Sequence, residues 1–154
     1  MASGDITFFH QFKVDLGNKI HDLDTDTFKV GLITSTVTPT GADAAPHWGG
    51  TGTTNYSTNQ VTPGGNYATD GPSLTSAAYT NSAGTVSWQA AKVAITQNAS
   101  NPTNARWGII YNSTDANKRA VAFVDLGSVR DLSQGLFEIR WNNVDGTGTI
   151  GTVA

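Results

Sequence analysis

The sequence predicts a mainly β protein, an antiparallel β-sandwich of jelly-roll or immunoglobulin-like type with one N-terminal helix and a long loop or arm. The first observation is a series of short β runs separated by turns rich in Asn, Asp, Ser and Gly. The second is the last of these runs, where Phe137, Ile139 and Trp141 occupy every other position. That period of two places one face of a strand on a core and the other in water.

Residues 5–21 carry the predicted helix. Its apolar positions recur at spacings of three and four, at Phe9, Phe12, Leu16 and Ile20. Asp15 and Lys19 stand four apart and are expected to pair on the polar side. A helix of this length is marginal alone, so we expect the domain body or a neighbouring subunit to cover it.

The segment Asp22–Asp26 is predicted to end the helix, because short polar side chains compete for backbone hydrogen bonds. Asp22, Asp24 and Asp26 also resemble the opening of a calcium loop, but Thr27 and Ile33 replace the Gly and Glu that an EF-hand requires. Helix termination and a looser calcium contact remain as alternatives.

A strand is predicted over residues 27–34, with Phe28, Val30 and Leu32 on one face. Further strands are expected at 74–80, 85–89, 92–96, 105–111, 119–126 and 136–141. We find no internal repeat and no domain boundary, so residues 1–154 are expected to form one domain.

Residues 35–73 interrupt this pattern with four prolines and two Gly-Gly pairs. A structureless loop of that length is unusual inside a compact domain, so the segment either holds short hairpins or is an arm that orders on a partner. We favour the arm. Trp48, Tyr56 and Tyr67 lie in it and are the candidate partner-binding residues, because exposed aromatic rings make good contact anchors. The alternative is that each ring packs back on its own sheet.

Three further tryptophans, Trp88, Trp107 and Trp141, lie inside predicted strands. They could form a platform on which sugars stack, but aromatic residues inside strands belong more often to the core.

Composition excludes several classes of function. Charged residues make up 14% of the 154 residues, against about 25% in a typical domain. A surface rich in Thr, Ser, Asn and Gly is suited to being covered by another protein. The net charge of −3 is spread without basic clusters, so no nucleic-acid partner is expected. No signal peptide and no membrane span are recognisable, and we expect synthesis in a cytoplasm.

Catalytic and metal-binding groups are not clustered in the sequence. His10 and His21 are interpreted as helix-surface residues, and His47 has no obvious orienting carboxylate. The chain has no Cys. We therefore expect no enzyme activity and no cofactor.

The order of three segments carries a family resemblance. They are Phe12–Leu32, with its helix, Asp/Thr break and strand; Asn59–Tyr67, with its Gly/Tyr pattern; and the closing runs 107–111, 124–127 and 137–141. In this order the chain resembles small structural virion proteins of tailed bacteriophages.

This resemblance implies a capsid decoration, or cement, protein that binds and stabilises the major capsid lattice. It implies a location on the capsid exterior, the major capsid protein as partner, and self-association, with a trimer favoured over a dimer. Residues 35–73 and the amino-terminal segment are the expected contacts. The alternative is a tail or fibre component that binds a receptor or carbohydrate.

Overall fold

The computed structural model describes residues 4–153. It is mainly β, as predicted, with one α-helix and four sheets. The helix α1 spans His10–Gly17, and 3-10 turns span Tyr56–Asn59 and Trp141–Asn143. The strands are β1 (Ile6–Phe8), β2 (Phe28–Ile33), β3 (Pro46–His47), β4 (Thr54–Asn55), β5 (Ala78–Ser82), β6 (Thr85–Ala91), β7 (Val93–Ile95), β8 (Ala105–Asn112), β9 (Ala120–Arg130), β10 (Phe137–Ile139) and β11 (Thr147–Val153).

The largest sheet has four antiparallel strands in the order β1-β9-β8-β2. A second antiparallel sheet has the order β11-β6-β5, and β10 pairs with β7 in a third. The short strands β3 and β4 are parallel. Within residues 4–153, no helix is long and apolar enough to cross a lipid bilayer.

Both faces of the four-stranded sheet are buried. One face packs in a large apolar cluster that includes Val30 and Ile110 together with Trp88 of the β11-β6-β5 sheet. The opposite face packs in a second cluster that includes Ile109 and Trp48. This two-sided burial explains why β8 and residues 120–126 of β9 have nearly continuous apolar runs, since most side chains there meet protein, whereas positions 127–130 are exposed.

The N-terminal segment differs from the predicted helix over residues 5–21. Residues 6–8 form β1 and pair with β9, so only residues 10–17 are helical. Lys19 has a φ of 58°, outside the helical range, so the expected pair between Asp15 and Lys19 does not form. Asp15 is instead buried and accepts a hydrogen bond of 3.0 Å from Gln11.

The predicted arm over residues 35–73 is also corrected, because no long arm is present. Trp48 and Tyr56 are fully buried in the second cluster, and Tyr67 is 1% exposed in the first. Ile33 and Lys29 of β2 form bridges to Gln60 and Ser73, so this segment lies along the outer edge of β2. The favourable burial of large aromatic rings explains why it packs on the body.

The three tryptophans predicted to lie in strands are core residues, although Trp141 begins a 3-10 turn and is not part of a strand. Trp88, Trp107 and Trp141 are between 0% and 6% exposed, which confirms the core interpretation over a sugar-stacking platform. The strand over 27–34 is confirmed as β2, and Phe28, Val30 and Leu32 share one buried face.

Candidate functional site

A wide bulge at the end of β9 builds one wall of a concave surface. Trp107 pairs with Asp125 and Ala105 pairs with Arg130. One residue of β8, Arg106, therefore faces four residues of β9, at positions 126–129. Bulges of this kind turn strand residues away from the ladder and occur beside functional sites. Here the bulge projects beyond the four-stranded sheet.

Hydrogen bonds hold the bulge in shape. The N–H of Gly127, at a φ of 79°, donates to Oδ1 of Asp125 at 2.6 Å. The Arg106 guanidinium also binds this carboxylate and lies 4.0 Å from the centre of the Trp107 ring. Burial would raise the pKa of Asp125, but the hydrogen bonds from Arg106 and Gly127 outweigh it and lower the pKa. Asp125 is therefore an anchoring carboxylate rather than a proton donor.

A cleft of about 460 Å³ opens beside this bulge. One wall comes from β9, including Leu126 and Arg130, and the other from residues 135–140. Gly4, Asp131 and Asn143 complete the lining. We call this feature the β9–β10 cleft.

One strongly exposed apolar side chain lines the β9–β10 cleft, and two others are sequence neighbours of lining residues. Leu136 lines it and is 61% exposed, the highest value for a large apolar residue in the described part of the chain. Val129, 51% exposed, precedes the lining residue Arg130, and Val144, 41% exposed, follows the lining residue Asn143. The cleft is therefore a candidate contact surface.

The charges near the cleft largely neutralise one another. Glu138 accepts hydrogen bonds from Arg140 and lies 2.6 Å from the Lys92 ammonium. Lys92 also contacts Asp145 at 2.5 Å. The hydrogen bonds from Lys92 and Arg140 lower the pKa of Glu138. Such a network leaves little net charge, so an apolar partner surface would meet no unpaired charge from these four groups.

The predicted partner-binding aromatics lie elsewhere and are not brought together on the surface. The Trp48 ring stacks on Tyr111 at 5.2 Å, and its Nε1 donates to Asp70 at 2.9 Å. The Tyr56 hydroxyl donates to the Asp43 carboxylate, and burial is the main cause of its raised pKa. The Tyr67 hydroxyl accepts a 2.8 Å hydrogen bond from the Leu32 N–H. All three rings stabilise the interior.

One of the two histidines expected on the helix surface, His21, is buried instead. His10 is exposed, whereas the His21 side chain is fully buried and His47 is 4% exposed. Among residues 4–153, no group of three or more His, Cys, Asp or Glu side chains is placed to hold a metal ion.

The acidic segment Asp22–Asp26 is bound by its own backbone. Asp22 Oδ1 accepts from the N–H of Asp24 at 3.0 Å and of Thr25 at 3.2 Å. Asp26 Oδ2 accepts from the N–H of Asp22 at 2.9 Å. These bonds form a compact polar turn, but α1 already ends at Gly17, so this segment does not end the helix as predicted.

A second concave surface is a groove of about 480 Å³ between α1 and the β11-β6-β5 sheet. It is lined by apolar residues including Phe12, Leu16 and Trp88, with Lys13 as its one charged lining residue. Its lining is predominantly apolar, whereas polar surface predominates in the lining of the β9–β10 cleft.

Sequence reasoning missed the cleft, although two signals were present. Leu136 interrupts the polar side of an alternating strand, where Glu138 and Arg140 follow it. Val129 stands in the polar stretch Gly127–Arg130, immediately after a buried run.

In comparisons with known proteins, no protein-family model, no curated protein and no solved structure matches this chain.

Proposed function

We propose that this chain is a structural protein of a tailed-bacteriophage virion that decorates the capsid exterior and binds the major capsid protein through the β9–β10 cleft. The observation that carries the proposal is that Leu136, the most exposed large apolar residue among those described, lines this cleft beside Glu138 and Arg140, whose charges are paired. A passive adhesive role needs such a surface and requires no nucleophile or metal.

The low charge of the chain supports the same role. Since 14% of the residues are charged, screening by salt changes such a contact less than it changes one built on ion pairs. Many copies on a lattice also multiply modest individual contacts through avidity.

The proposal includes a β-sandwich arrangement of the body. Its support is the large cluster, in which one face of the four-stranded sheet packs with the inner residues of the three-stranded sheet. The contributors are Val30, Ile110 and Val124 from the former and Trp88, Ala90 and Ile150 from the latter.

Binding to capsid shells tests the proposal. The wild-type chain and a Val129→Ser, Leu136→Ser double variant would be sedimented with expanded shells of the major capsid protein from the same phage genome. Burying one such side chain contributes about 1.5–3 kcal/mol, so we expect the apparent Kd to rise at least about tenfold.

The matched control is Val14→Ser, which changes a valine that is 54% exposed on α1 outside the cleft. Its binding should equal that of the wild type. Equal binding by the double variant would exclude the cleft as the contact, and a wild-type chain that does not sediment with shells would exclude the capsid partner.

The alternative of a carbohydrate-binding tail or fibre component has less support. The rings expected to contact a sugar, Trp48, Tyr56 and Tyr67, are each at most 1% exposed. A glycan array with the wild-type chain separates the two functions, since the decoration role predicts no specific glycan.

A further inference from the structure

The edge of the three-stranded sheet at β5 is open. In the described residues β6 is the one strand that pairs with β5, and positions 79–82 are all exposed. The other long sheet has its β2 edge covered by the bridges to Gln60 and Ser73. Proteins protect exposed edges with charges, prolines or bulges, because an open edge pairs with other strands. The sequence of β5 contains none of the three.

The hairpin geometry identifies which backbone groups are open. Ser82 pairs with Thr85 across a two-residue turn in which Ala83 and Gly84 have φ values of 50° and 84°. This is the geometry of a type I′ hairpin, whose flanking residues form a hydrogen-bonded pair. Because such pairs alternate along the ladder, the N–H and C=O groups of Tyr79 and Asn81 point away from β6.

An independent hydrogen bond supports this assignment. The Ala91 N–H donates to the Thr75 carbonyl at 2.8 Å, on the β5 side of β6. Gln89 and Ser87 lie two and four residues before Ala91 along β6, so their backbone N–H and C=O groups also point toward β5. The backbone groups of Trp88, which lies between Gln89 and Ser87, therefore point toward β11.

We propose that β5 pairs with β5 of a second copy of this chain, antiparallel and about a two-fold axis at Thr80. In this register Tyr79 lies opposite Asn81 of the second copy, and Asn81 lies opposite its Tyr79. Each of these two pairs exchanges two backbone hydrogen bonds, which satisfies all four open groups on each strand. Thr80 faces its own counterpart in a close, non-hydrogen-bonded pair, where threonine side chains interact well.

A second copy fits this edge because the strand is self-complementary. The open residues stand symmetrically on either side of Thr80, and β5 and β6 contain no Asp, Glu, Lys or Arg that would repel an identical strand. Tyr79 is 39% exposed and gains cover from the neighbouring strand. The result is one six-stranded sheet with an isologous interface.

The opposite edge of the same sheet, at β11, is less suited to pairing with β5 of a second copy. The register of β11 shifts between Thr149 and Gly151, so its ladder is bulged. At Gly148 an added Cβ would lie 2.1 Å from the Trp141 carbonyl oxygen, which shows that the turn at 141–143 crowds this strand. A head-to-tail ring through β5 and β11 is therefore disfavoured. The proposed symmetry is two-fold, in contrast to the trimer that the sequence resemblance implied.

A charge exchange at Thr80 tests this pairing on the isolated chain. Thr80 is exposed, so Thr80→Lys and Thr80→Glu are expected to fold, which near-ultraviolet circular dichroism checks. Sedimentation equilibrium should give a dimer for the wild-type chain. Each variant alone should dimerise at least about tenfold more weakly, because like charges meet on the axis. Mixing the two variants in equal amounts should restore a dimer of one copy of each.

The control is Lys13→Glu in α1, outside the pairing surface, whose dimer constant should not change. A wild-type monomer or trimer would overturn the proposal, and so would a mixture of the two Thr80 variants that stays monomeric. The experiment involves no capsid, so its outcome is independent of the capsid-binding test.

Discussion

At the scale of single residues, the most informative site is the buried group around His21. Asn112 Oδ1 accepts hydrogen bonds from the N–H groups of Thr114 and Asp115, at 2.9 and 3.1 Å, which fixes the orientation of its amide. Its Nδ2 therefore faces His21 Nδ1 at 3.1 Å. Nδ1 must accept, so the proton of the neutral imidazole lies on Nε2, 3.7 Å from Asp15 Oδ2. A second proton, on Nδ1, would place an N–H group against the Nδ2 donor of Asn112.

This arrangement predicts a loss of stability on mild acidification. Burial lowers the pKa of His21 below its ordinary value of 6.5, although Asp15 opposes the shift. Burial also lowers the pKa of His47. The unfolded chain then binds protons more readily, so stability is complete above about pH 6.5 and falls as the pH approaches the lowered folded values. Each pKa unit of difference is equivalent to about 1.4 kcal/mol.

Urea unfolding between about pH 7.5 and pH 5 measures how the free energy of unfolding changes with pH. Ordinary carboxylates do not titrate in this range. His21→Gln should weaken the dependence of stability on pH without abolishing it, because the lowered pKa of His47 also reduces stability as the pH falls. His10→Gln is the control, since His10 is exposed, and its slope should match the wild type. A pH-independent free energy of unfolding in the wild-type chain would refute the prediction.

Gly31→Ala is predicted to destabilise the fold. A Cβ at Gly31 would lie 2.2 Å from Cη2 of Trp48, so the indole ring rests directly on the backbone of β2. The ring is also held by stacking on Tyr111 and by its hydrogen bond to Asp70, so it has little room to move. We expect a loss of about 1–3 kcal/mol in the free energy of unfolding.

Chemical denaturation followed by tryptophan fluorescence measures this effect. The control is Gly17→Ala, because an added Cβ there meets no atom within 4 Å. At that helical position alanine should be neutral or stabilise by up to about 1 kcal/mol. Equal stability of the two variants would contradict the close packing of Trp48 on β2.

At the scale of elements, the segment over residues 59–74 behaves as an irregular outer strand. Its backbone exchanges hydrogen bonds with β2, from the Val61 N–H to the Leu32 carbonyl at 3.0 Å and from the Leu74 N–H to the Phe28 carbonyl at 2.8 Å. The Tyr67 hydroxyl accepts from the Leu32 N–H between these contacts. The segment thus satisfies the open edge of β2, which an exposed strand would leave free for aggregation.

Tyr67→Phe tests the contribution of the hydroxyl. Its removal leaves the buried Leu32 N–H without an acceptor, so we expect a cost of about 1–3 kcal/mol in the free energy of unfolding. Tyr79→Phe is the matched control, because Tyr79 is 39% exposed and removing its hydroxyl should change stability little. Denaturant midpoints for the two variants provide the comparison. A Tyr67→Phe variant as stable as the control would show that the edge contact contributes little.

The elements also show which features the sequence could predict. Strands β2, β8 and β9 were found because their apolar residues identify them locally. The stretch Thr147–Val153 was not found, because its Thr and Gly residues show no apolar alternation. Burial of Trp48 depends on the missing side chain at Gly31, a fit between distant positions that proline and glycine punctuation does not reveal.

The candidate cleft was harder to predict than the strands. It exists because four residues of β9 face one residue of β8, and a register shift has no local sequence signature. The outward Leu136 was visible in the sequence, but nothing there placed it in a cleft against β9. The same holds for His21, which is buried because the chain turns back after α1 toward Asn112.

At the scale of the whole molecule, the two apolar clusters are joined by one sheet. Strand β8 gives Ile110 to the first cluster and Ile109 to the second, and β9 gives Ala122 and Phe123 in the same way. Neither cluster can lose its packing without exposing strands that the other needs. The physical consequence is strong coupling between the two sides of the sheet.

This coupling predicts a single cooperative unfolding transition. Each cluster contains two tryptophans, Trp88 and Trp141 in the first and Trp48 and Trp107 in the second, so fluorescence reports on both. Unfolding by urea should therefore give the same midpoint by tryptophan fluorescence and by far-ultraviolet circular dichroism. Trp48→Phe should lower both midpoints together, because it weakens the second cluster, while the remaining tryptophans still report the first. Separate midpoints for the two probes, or a residual transition in the variant, would show that residues 4–153 unfold as two units instead of the predicted single domain.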